Sequence, residues 1–180
     1  MRSLSKFHDS NPYVLRIDGG EEYRVAYVPG ESNTGLFGGN SNWRGPVWMP
    51  INYLILEALE RYHHFYGESM TVPMGGAEVS LRQAADELRS RLAGVFLKDG
   101  NGRRACMGQT IVQAGPSDVL FHEYFHAETG RGLGASHQTG WTALVAPMLK
   151  DIAQARAKSV PPSGSEITRR HAPAKPAARL

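Results

Sequence analysis

The stretch FHEYFHAETGRGLGASHQTGW, residues 121–141, sets one carboxylate, that of Glu123, among aromatic rings and imidazoles. A glycine-rich turn follows at Gly130–Gly134, and a helix start is predicted at Thr139. A second dense stretch, GGNSNWRGPVWMPIN at residues 38–52, is its predicted partner across a pocket. We expect a functional site where these two segments meet.

Residues before and within the second stretch predict a hairpin, a long loop and a helix. The β-prone runs 13–17 and 23–28 flank Asp18-Gly-Gly, which is typical of a hairpin. Residues 29–44 are rich in Gly, Asn and Ser, and so long a loop in a compact domain usually lines a site. Apolar residues then recur with helical spacing over 47–66, and a glycine follows as a typical stop.

Two more helices are predicted further along the chain. Ser80 and Gln83 match a capping box, which opens a helix whose apolar positions run to Phe96. The last helix is expected after Thr139, with Trp141 among its buried residues and Pro147 as a candidate kink. The residues alone therefore predict a mainly helical protein with long, residue-rich loops.

Charge and composition divide the chain into a globular part and a tail. The formal charge is +3, but residues 158–180 hold five Lys and Arg against one acid, which leaves residues 1–157 at −1. We expect one domain over 1–157 and a disordered, basic, Pro- and Ala-rich tail over 158–180. The near-neutral globular part does not predict a nucleic-acid partner.

The remaining composition narrows the compartment. A single cysteine, Cys106, excludes an internal disulfide and a multi-cysteine zinc site. No apolar run approaches the ~20 residues of a membrane span, and residues 1–13 do not have the apolar core of a signal peptide. We therefore expect no membrane association and a cytoplasmic location.

The motif HEYFH, His122 to His126, matches the zinc-protease pattern H-E-x-x-H. On a helix, the two imidazoles would share one face and Glu123 would serve as the base. The longer form of the pattern needs a third histidine, but Gly132 stands at that position. A zinc peptidase is therefore an alternative, and two partly buried histidines near a polar loop are the favoured interpretation.

Without a metal, Glu123 has two interpretations. A carboxylate held among Phe121, Tyr124 and Phe125 is the type of group that general acid–base catalysis uses. The structural alternative is a glutamate that caps a loop by accepting backbone N–H groups. The residues alone favour neither.

The segment WRGPVW, residues 43–48, packs two indoles and a guanidinium into a loop-to-helix junction. Flat aromatic faces beside polar groups suit sugars, which present apolar C–H faces and hydroxyl edges. The structural alternative is a helix-entry cluster, which is favoured for Trp48, whereas Trp43 and Arg44 slightly favour a binding site. Nearby amides that could join such a site are Asn40, Asn42 and Asn52.

Four segments together resemble glycoside hydrolase family 63 and its bacterial glucosidase and mannosylglycerate-hydrolase-like relatives. They are RSLSKFH (2–8), EEYRV (21–25), ESNTGLFGGNSNWRGPVWMPIN (31–52) and HEYFHAETGRGLGASHQTGWTALVA (122–146). The resemblance implies part of an (α/α)6 barrel, an all-helical toroid whose loops form the active site. It also implies inverting hydrolysis of an oligosaccharide or small glycoside by one carboxylic acid and one carboxylate, with no metal and no cofactor.

The resemblance implies a role for particular residues. The position of the family's general base is Glu123. The residues that match the family's sugar-pocket segment or lie near the pocket are Trp43, Arg44, Gly45, Trp48, Asn52, Tyr124 and Trp141. The family's general acid belongs to a motif upstream of WRGP that this chain does not contain, and residues 116–121 are shorter than in relatives. The expected protein is therefore a C-terminal part of a glycosidase catalytic domain, and a non-catalytic carbohydrate-binding remnant is a further alternative.

Overall fold

The computed structural model describes residues 1–35, 43–108 and 119–159. Across these ranges the chain is mainly helical and adds three two-stranded antiparallel sheets. None of the helices in the described ranges is long and apolar enough to cross a membrane. The predictions for Asn40, Asn42 and residues 160–180 lie outside the described residues.

The elements follow one another with short connections. In chain order they are α1 (Phe7–Ser10), β1 (Tyr13–Arg16), β2 (Glu22–Val25), α2 (Met49–Tyr66), β3 (Thr71–Met74), β4 (Ala77–Ser80), α3 (Leu81–Gly94), β5 (Tyr124–Phe125), β6 (Gly132–Leu133), α4 (Thr139–Thr142) and α5 (Val145–Ser159). Single 3-10 turns stand at Gly67–Ser69 and Ala105–Met107. The strands pair as β1–β2, β3–β4 and β5–β6.

The core lies where α2, α3 and α5 pack together. Its buried side chains include Met49, Leu56, Leu92, Phe125 and Met148, so the segment that carries Glu123 is anchored in the same core as the helices. Full burial of an apolar side chain of this size contributes about 1.5–3 kcal/mol. The core therefore fixes the base of the candidate site.

One buried cation joins the three helices. Arg89 of α3 is 5% exposed, and its Nη1 donates to Asp86 Oδ1 at 2.6 Å. Its Nη2 pairs with Glu60 of α2, and its Nε lies 3.6 Å from Asp151 of α5. A buried cation needs such partners, since a charge without one is expensive to remove from water.

The capping box is confirmed. The Ser80 hydroxyl accepts the Gln83 N–H at 3.4 Å, while the Gln83 side chain accepts the Ser80 N–H at 2.8 Å. These bonds satisfy N–H groups that the first turn of a helix leaves without partners. The helix ends at Gly94, two residues before the predicted Phe96.

Other boundaries differ from the sequence predictions. The first hairpin is confirmed, but its strands end at Arg16 and Val25, before the predicted residues 17 and 28. The helix predicted from Val47 begins at Met49, because Val47 is bonded to Phe125 instead. The β3–β4 hairpin was not predicted, although its two-residue Gly75-Gly76 turn has the positive φ angles, 62° and 86°, that favour glycine.

The last predicted helix is two helices. A short α4 carries Trp141, whose predicted burial is wrong because 42% of it is exposed. Pro147 is the third residue of α5 and lies in its first turn, where a missing N–H removes no helical bond. Lys158 and Ser159, predicted to belong to the tail, extend this helix.

Candidate functional site

The two dense segments of the sequence lie side by side, as predicted. Val47 donates its N–H to the Phe125 carbonyl at 2.8 Å, and Phe125 returns an N–H to the Val47 carbonyl at 2.9 Å. This antiparallel bridge sets WRGPVW against the strand that follows Glu123. The candidate site is built on this junction.

Four aromatic residues meet there and form the aromatic cluster, Trp43, Trp48, Tyr124 and Trp141. Trp48 stacks on Trp43 with ring centroids 4.3 Å apart and on Tyr124 with centroids 4.8 Å apart. The Trp141 ring lies 5.7 Å from that of Trp48, at 56°. All four were predicted as sugar-binding residues from separate parts of the chain.

The aromatic cluster has a buried base and an open surface. Trp48 and Tyr124 are 5% and 3% exposed and pack with the buried Leu133 of β6. Trp43 and Trp141 are 51% and 42% exposed, so two indoles face solvent on a rigid aromatic support. Exposed flat rings of this kind can stack on the apolar C–H face of a sugar.

Glu123 lies half-buried next to this cluster. Its N–H donates to the Ala135 carbonyl at 2.9 Å, and its Oε2 accepts the Ala135 N–H at 3.4 Å. Among the residues that the structure describes, Oε1 accepts no hydrogen bond. The carboxylate is therefore oriented through one oxygen, as in the loop-capping interpretation, while the other oxygen can still accept a proton.

Gly134 brings the carboxylate and the cluster together, a role that the sequence analysis did not give it. Its φ is +68°, and an added Cβ would lie 2.6 Å from Glu123 Oε2 and 2.7 Å from Tyr124 Cε1. Both distances are shorter than real Cβ contacts, so only glycine lets both side chains approach the backbone here. The positive φ of a glycine in the predicted turn was the available signal.

The HEYFH motif is not helical. Tyr124–Phe125 is strand β5, so the one-face arrangement that the zinc interpretation needs is absent here. His126 Nδ1 accepts the N–H groups of Glu128 and Thr129, at 3.2 and 3.3 Å, and therefore closes a turn. The described ranges contain no group of three His, Cys, Asp or Glu side chains placed to hold a metal ion.

His122 lies on the other side of the hairpin. Its ring lies against Gly132, where an added Cβ would overlap it. Burial, and then the positive charge of Arg131, lower the pKa of His122 below its usual value. Its Nδ1 is buried and has no hydrogen-bond partner in the described part of the chain.

Arg44 and Gly45 are buried beneath the loop that leads into the site. Arg44 is 4% exposed, and its Nη2 donates to Ser32 Oγ at 3.1 Å and to Asn33 Oδ1 at 3.4 Å. A side chain on Gly45 would overlap the Val28 carbonyl, so this glycine permits a close approach of two backbones. Both residues hold the loop together here, and their contact with a sugar stays a prediction.

Asn52 is also occupied by protein partners. It is 3% exposed, and its Nδ2 donates to the Trp48 carbonyl at 2.8 Å and to the Met1 carbonyl at 3.0 Å. Its Oδ1 accepts the amino group of Met1. The structure therefore brings Glu123 and the four aromatic residues together, and it places Arg44, Gly45 and Asn52 in the packing behind them.

The two large cavities lie elsewhere. One, of about 880 Å³, lies between residues 1–6, α3 and residues 125–130, and the other, of about 770 Å³, lies between residues 97–105 and the β5–β6 turn. The first contains Glu128, but that carboxylate is paired with Arg2 and Lys6 and accepts the Tyr27 hydroxyl. Glu123 and the aromatic cluster line neither cavity, and we identify the site from their chemistry instead.

Comparison with known proteins supplies relatives for this arrangement. Residues 31–151 match the glycosyl hydrolase family 63 C-terminal domain. An uncharacterized protein of Saccharomyces cerevisiae is 47% identical over 161 residues, which cover 84% of this chain and 15% of that protein. Mannosyl-oligosaccharide glucosidase of the same yeast is 31% identical over 63% of this chain and 11% of its own length. Alpha-glucosidase 2 of Arabidopsis thaliana is 31% identical over 57% of this chain and 10% of its own length.

These matches share one property, which is their small share of each relative. The chain spans 15% of the first of these proteins and 10% of the last. The residues matched nevertheless include both segments that form the candidate site.

Proposed function

Because this chain belongs to glycosyl hydrolase family 63, we propose that residues 1–157 are the C-terminal part of a glycosidase catalytic domain. The complete domain is an (α/α)6 barrel, to which α2, α3 and α5 contribute. The family match and the similarity to two proteins named as glucosidases support this proposal. The substrate is an oligosaccharide or a small glycoside, with glucose as the sugar released.

In this proposal Glu123 is the general base of an inverting hydrolysis. Such enzymes use one carboxylate to activate a water and one carboxylic acid, roughly 6.5–9.5 Å away, to protonate the leaving oxygen. The observation that carries the proposal is the state of Glu123. One of its oxygens is held by the Ala135 N–H, and the other is not bonded within the described residues, beside two exposed indoles. A general base needs this combination of fixed orientation and an available oxygen.

The general acid belongs to the part of the domain that precedes the WRGP segment. The isolated chain is therefore expected to hydrolyse ordinary glycosides poorly or not at all. Efficient turnover of an aryl glucoside by this chain alone would contradict that expectation.

A glycosyl fluoride tests the base without the acid. Fluoride leaves without being protonated, so hydrolysis of α-glucosyl fluoride depends on the activated water. We expect turnover by the purified chain that EDTA does not change, and the first product is expected to be β-glucose, which proton NMR detects. Since a general base contributes about 10²–10⁴-fold, Glu123→Gln is expected to lower the rate by that factor.

The control for this experiment is Glu78→Gln, which removes an exposed carboxylate from β4, away from the site. Its rate should equal that of the native chain. If both variants hydrolyse the fluoride as fast as the native chain, Glu123 is not the base. Activity that EDTA abolishes would favour a metal mechanism instead.

A non-catalytic carbohydrate-binding remnant is the second candidate, and the two exposed indoles favour it. It predicts oligosaccharide binding that Trp43→Ala weakens and Glu123→Gln leaves unchanged, with no hydrolysis of the fluoride. Calorimetric titration of both variants separates it from the first proposal.

A further inference from the structure

One face of α2 is apolar and open to solvent. Ile51, Leu54, Tyr62 and Phe65 are 46%, 64%, 56% and 79% exposed, and Ala58 between them is exposed as well. The opposite face of the same helix holds the buried residues Met49, Asn52, Leu56 and His63. The helix therefore has two packing faces, and within the described residues only one of them is covered.

The exposed residues form a single line, which we call the outward stripe of α2. Successive spacings of three and four residues keep side chains on one face of a helix. Fourteen residues separate Ile51 from Phe65, so the stripe is about 21 Å long. A narrow stripe with this spacing fits the groove of another helix, because ridges of side chains at three- and four-residue intervals interlock.

A surface of this kind is unusual on a protein that acts alone. Soluble monomers rarely expose contiguous apolar patches of more than a few hundred Å². The β1–β2 hairpin repeats the feature, because Tyr13, Leu15 and Ile17 alternate along β1 and are 61%, 45% and 50% exposed. A two-stranded hairpin is marginally stable unless such a face packs on something.

We propose that the outward stripe of α2 is the surface on which the rest of the family's catalytic domain docks, through a helix with an apolar stripe of its own. This inference rests on the proposed place of the chain within a larger catalytic domain. The occupant is argued from length, since the matches leave most of each relative outside the region that resembles this chain. Its helical form is argued from the spacing of the stripe.

The docking surface begins next to the candidate site. Ile51 follows Trp48 by one helical turn, and Trp48 is the centre of the aromatic cluster. The flank of the stripe carries both signs of charge, as Glu57 and Arg61 pair at 3.8 Å. A helix docked here lies beside the two exposed indoles and can complete the sugar pocket.

The test uses the full chain and the yeast relative that is 47% identical to it. The chain is co-expressed with the rest of that relative, meaning all of it outside the matched residues, and complex formation is measured by co-purification and sedimentation. We expect a stable complex with the native chain. Leu54→Glu and Phe65→Glu should each weaken it about tenfold or more, because each places a charge in the centre of a desolvated contact.

The matched control is Leu97→Glu, which makes the same change at a leucine that is 46% exposed and outside the stripe. It should bind as the native chain does. The proposal is overturned if no complex forms, if all three variants weaken it equally, or if the stripe variants instead abolish a dimer of this chain alone. Because binding is measured without hydrolysis, a complex that forms while the glycosyl fluoride is not hydrolysed would contradict the proposed function and leave the docking surface standing.

Discussion

Substitution of Gly134 by alanine tests the geometry of the candidate site without requiring activity. Two penalties add at this position. The first is the left-handed backbone, with φ at +68°, which an L-residue adopts at a cost of about 1–2 kcal/mol. Part of this is offset, because alanine lowers the entropy of the unfolded chain by about 0.4–1 kcal/mol.

The second penalty comes from the neighbours of Gly134. The added methyl would lie 2.6 Å from Glu123 Oε2, which must retreat by about 0.8 Å to reach the 3.4 Å of an ordinary contact. Tyr124 Cε1, at 2.7 Å, must also move, and its ring is held in the aromatic cluster. Such overpacking typically costs about 1–3 kcal/mol. Gly134→Ala is therefore expected to lower the free energy of unfolding by about 2–4 kcal/mol.

Gly75→Ala is the control, since Gly75 has a φ of +62° and nothing within 4 Å of its added Cβ. It includes the backbone penalty alone, about 1 kcal/mol after the offset. Urea denaturation of both variants gives the difference, which isolates the contact with Glu123 and Tyr124. Equal losses would refute the close approach of these side chains to the Gly134 backbone.

Two further predictions concern charge. Arg89→Met leaves Glu60, Asp86 and Asp151 without their shared cation and should lower the free energy of unfolding by about 1–3 kcal/mol, whereas Arg91→Met, whose only described carboxylate partner is the exposed Glu87, should change it by less than about 1 kcal/mol; urea denaturation measures both, and equal effects would contradict the role of Arg89. Because the folded chain holds the pKa of His122 below the ordinary 6.5, the unfolded chain binds the proton more readily, and stability should fall as the pH drops below about 6.5. Arg131→Gln removes one cause and should raise that pKa in an NMR titration, and an unchanged value would contradict the contribution of Arg131.

The helices were predictable because their signals are local. The Ser80 capping box lies within four residues, and the apolar spacing of α2 is read within one element. The β5–β6 hairpin was not predictable in the same way, because two-residue strands have no measurable period. Its strands exist because Gly134 and Gly130 turn the chain and because Val47 supplies a distant partner.

The site was predictable in its residue types but not in its arrangement. The aromatic rings, the carboxylate and the glycines were visible in the sequence, and the segments that carry them meet as expected. The division of roles was not visible, since it depends on contacts across the chain. Asn52 is occupied by Met1 and Arg44 by Ser32, so both lie behind the exposed indoles rather than beside them.

The bridge between Val47 and Phe125 has a consequence for folding kinetics. It closes a loop of roughly eighty residues, and the entropy lost in closing a loop grows with its length. The carboxylate and the indoles are therefore brought together late, after α2 and α3 have formed from short-range contacts. A partly folded chain would contain these helices and still have no sugar surface, so the appearance of that surface is a measure of complete folding.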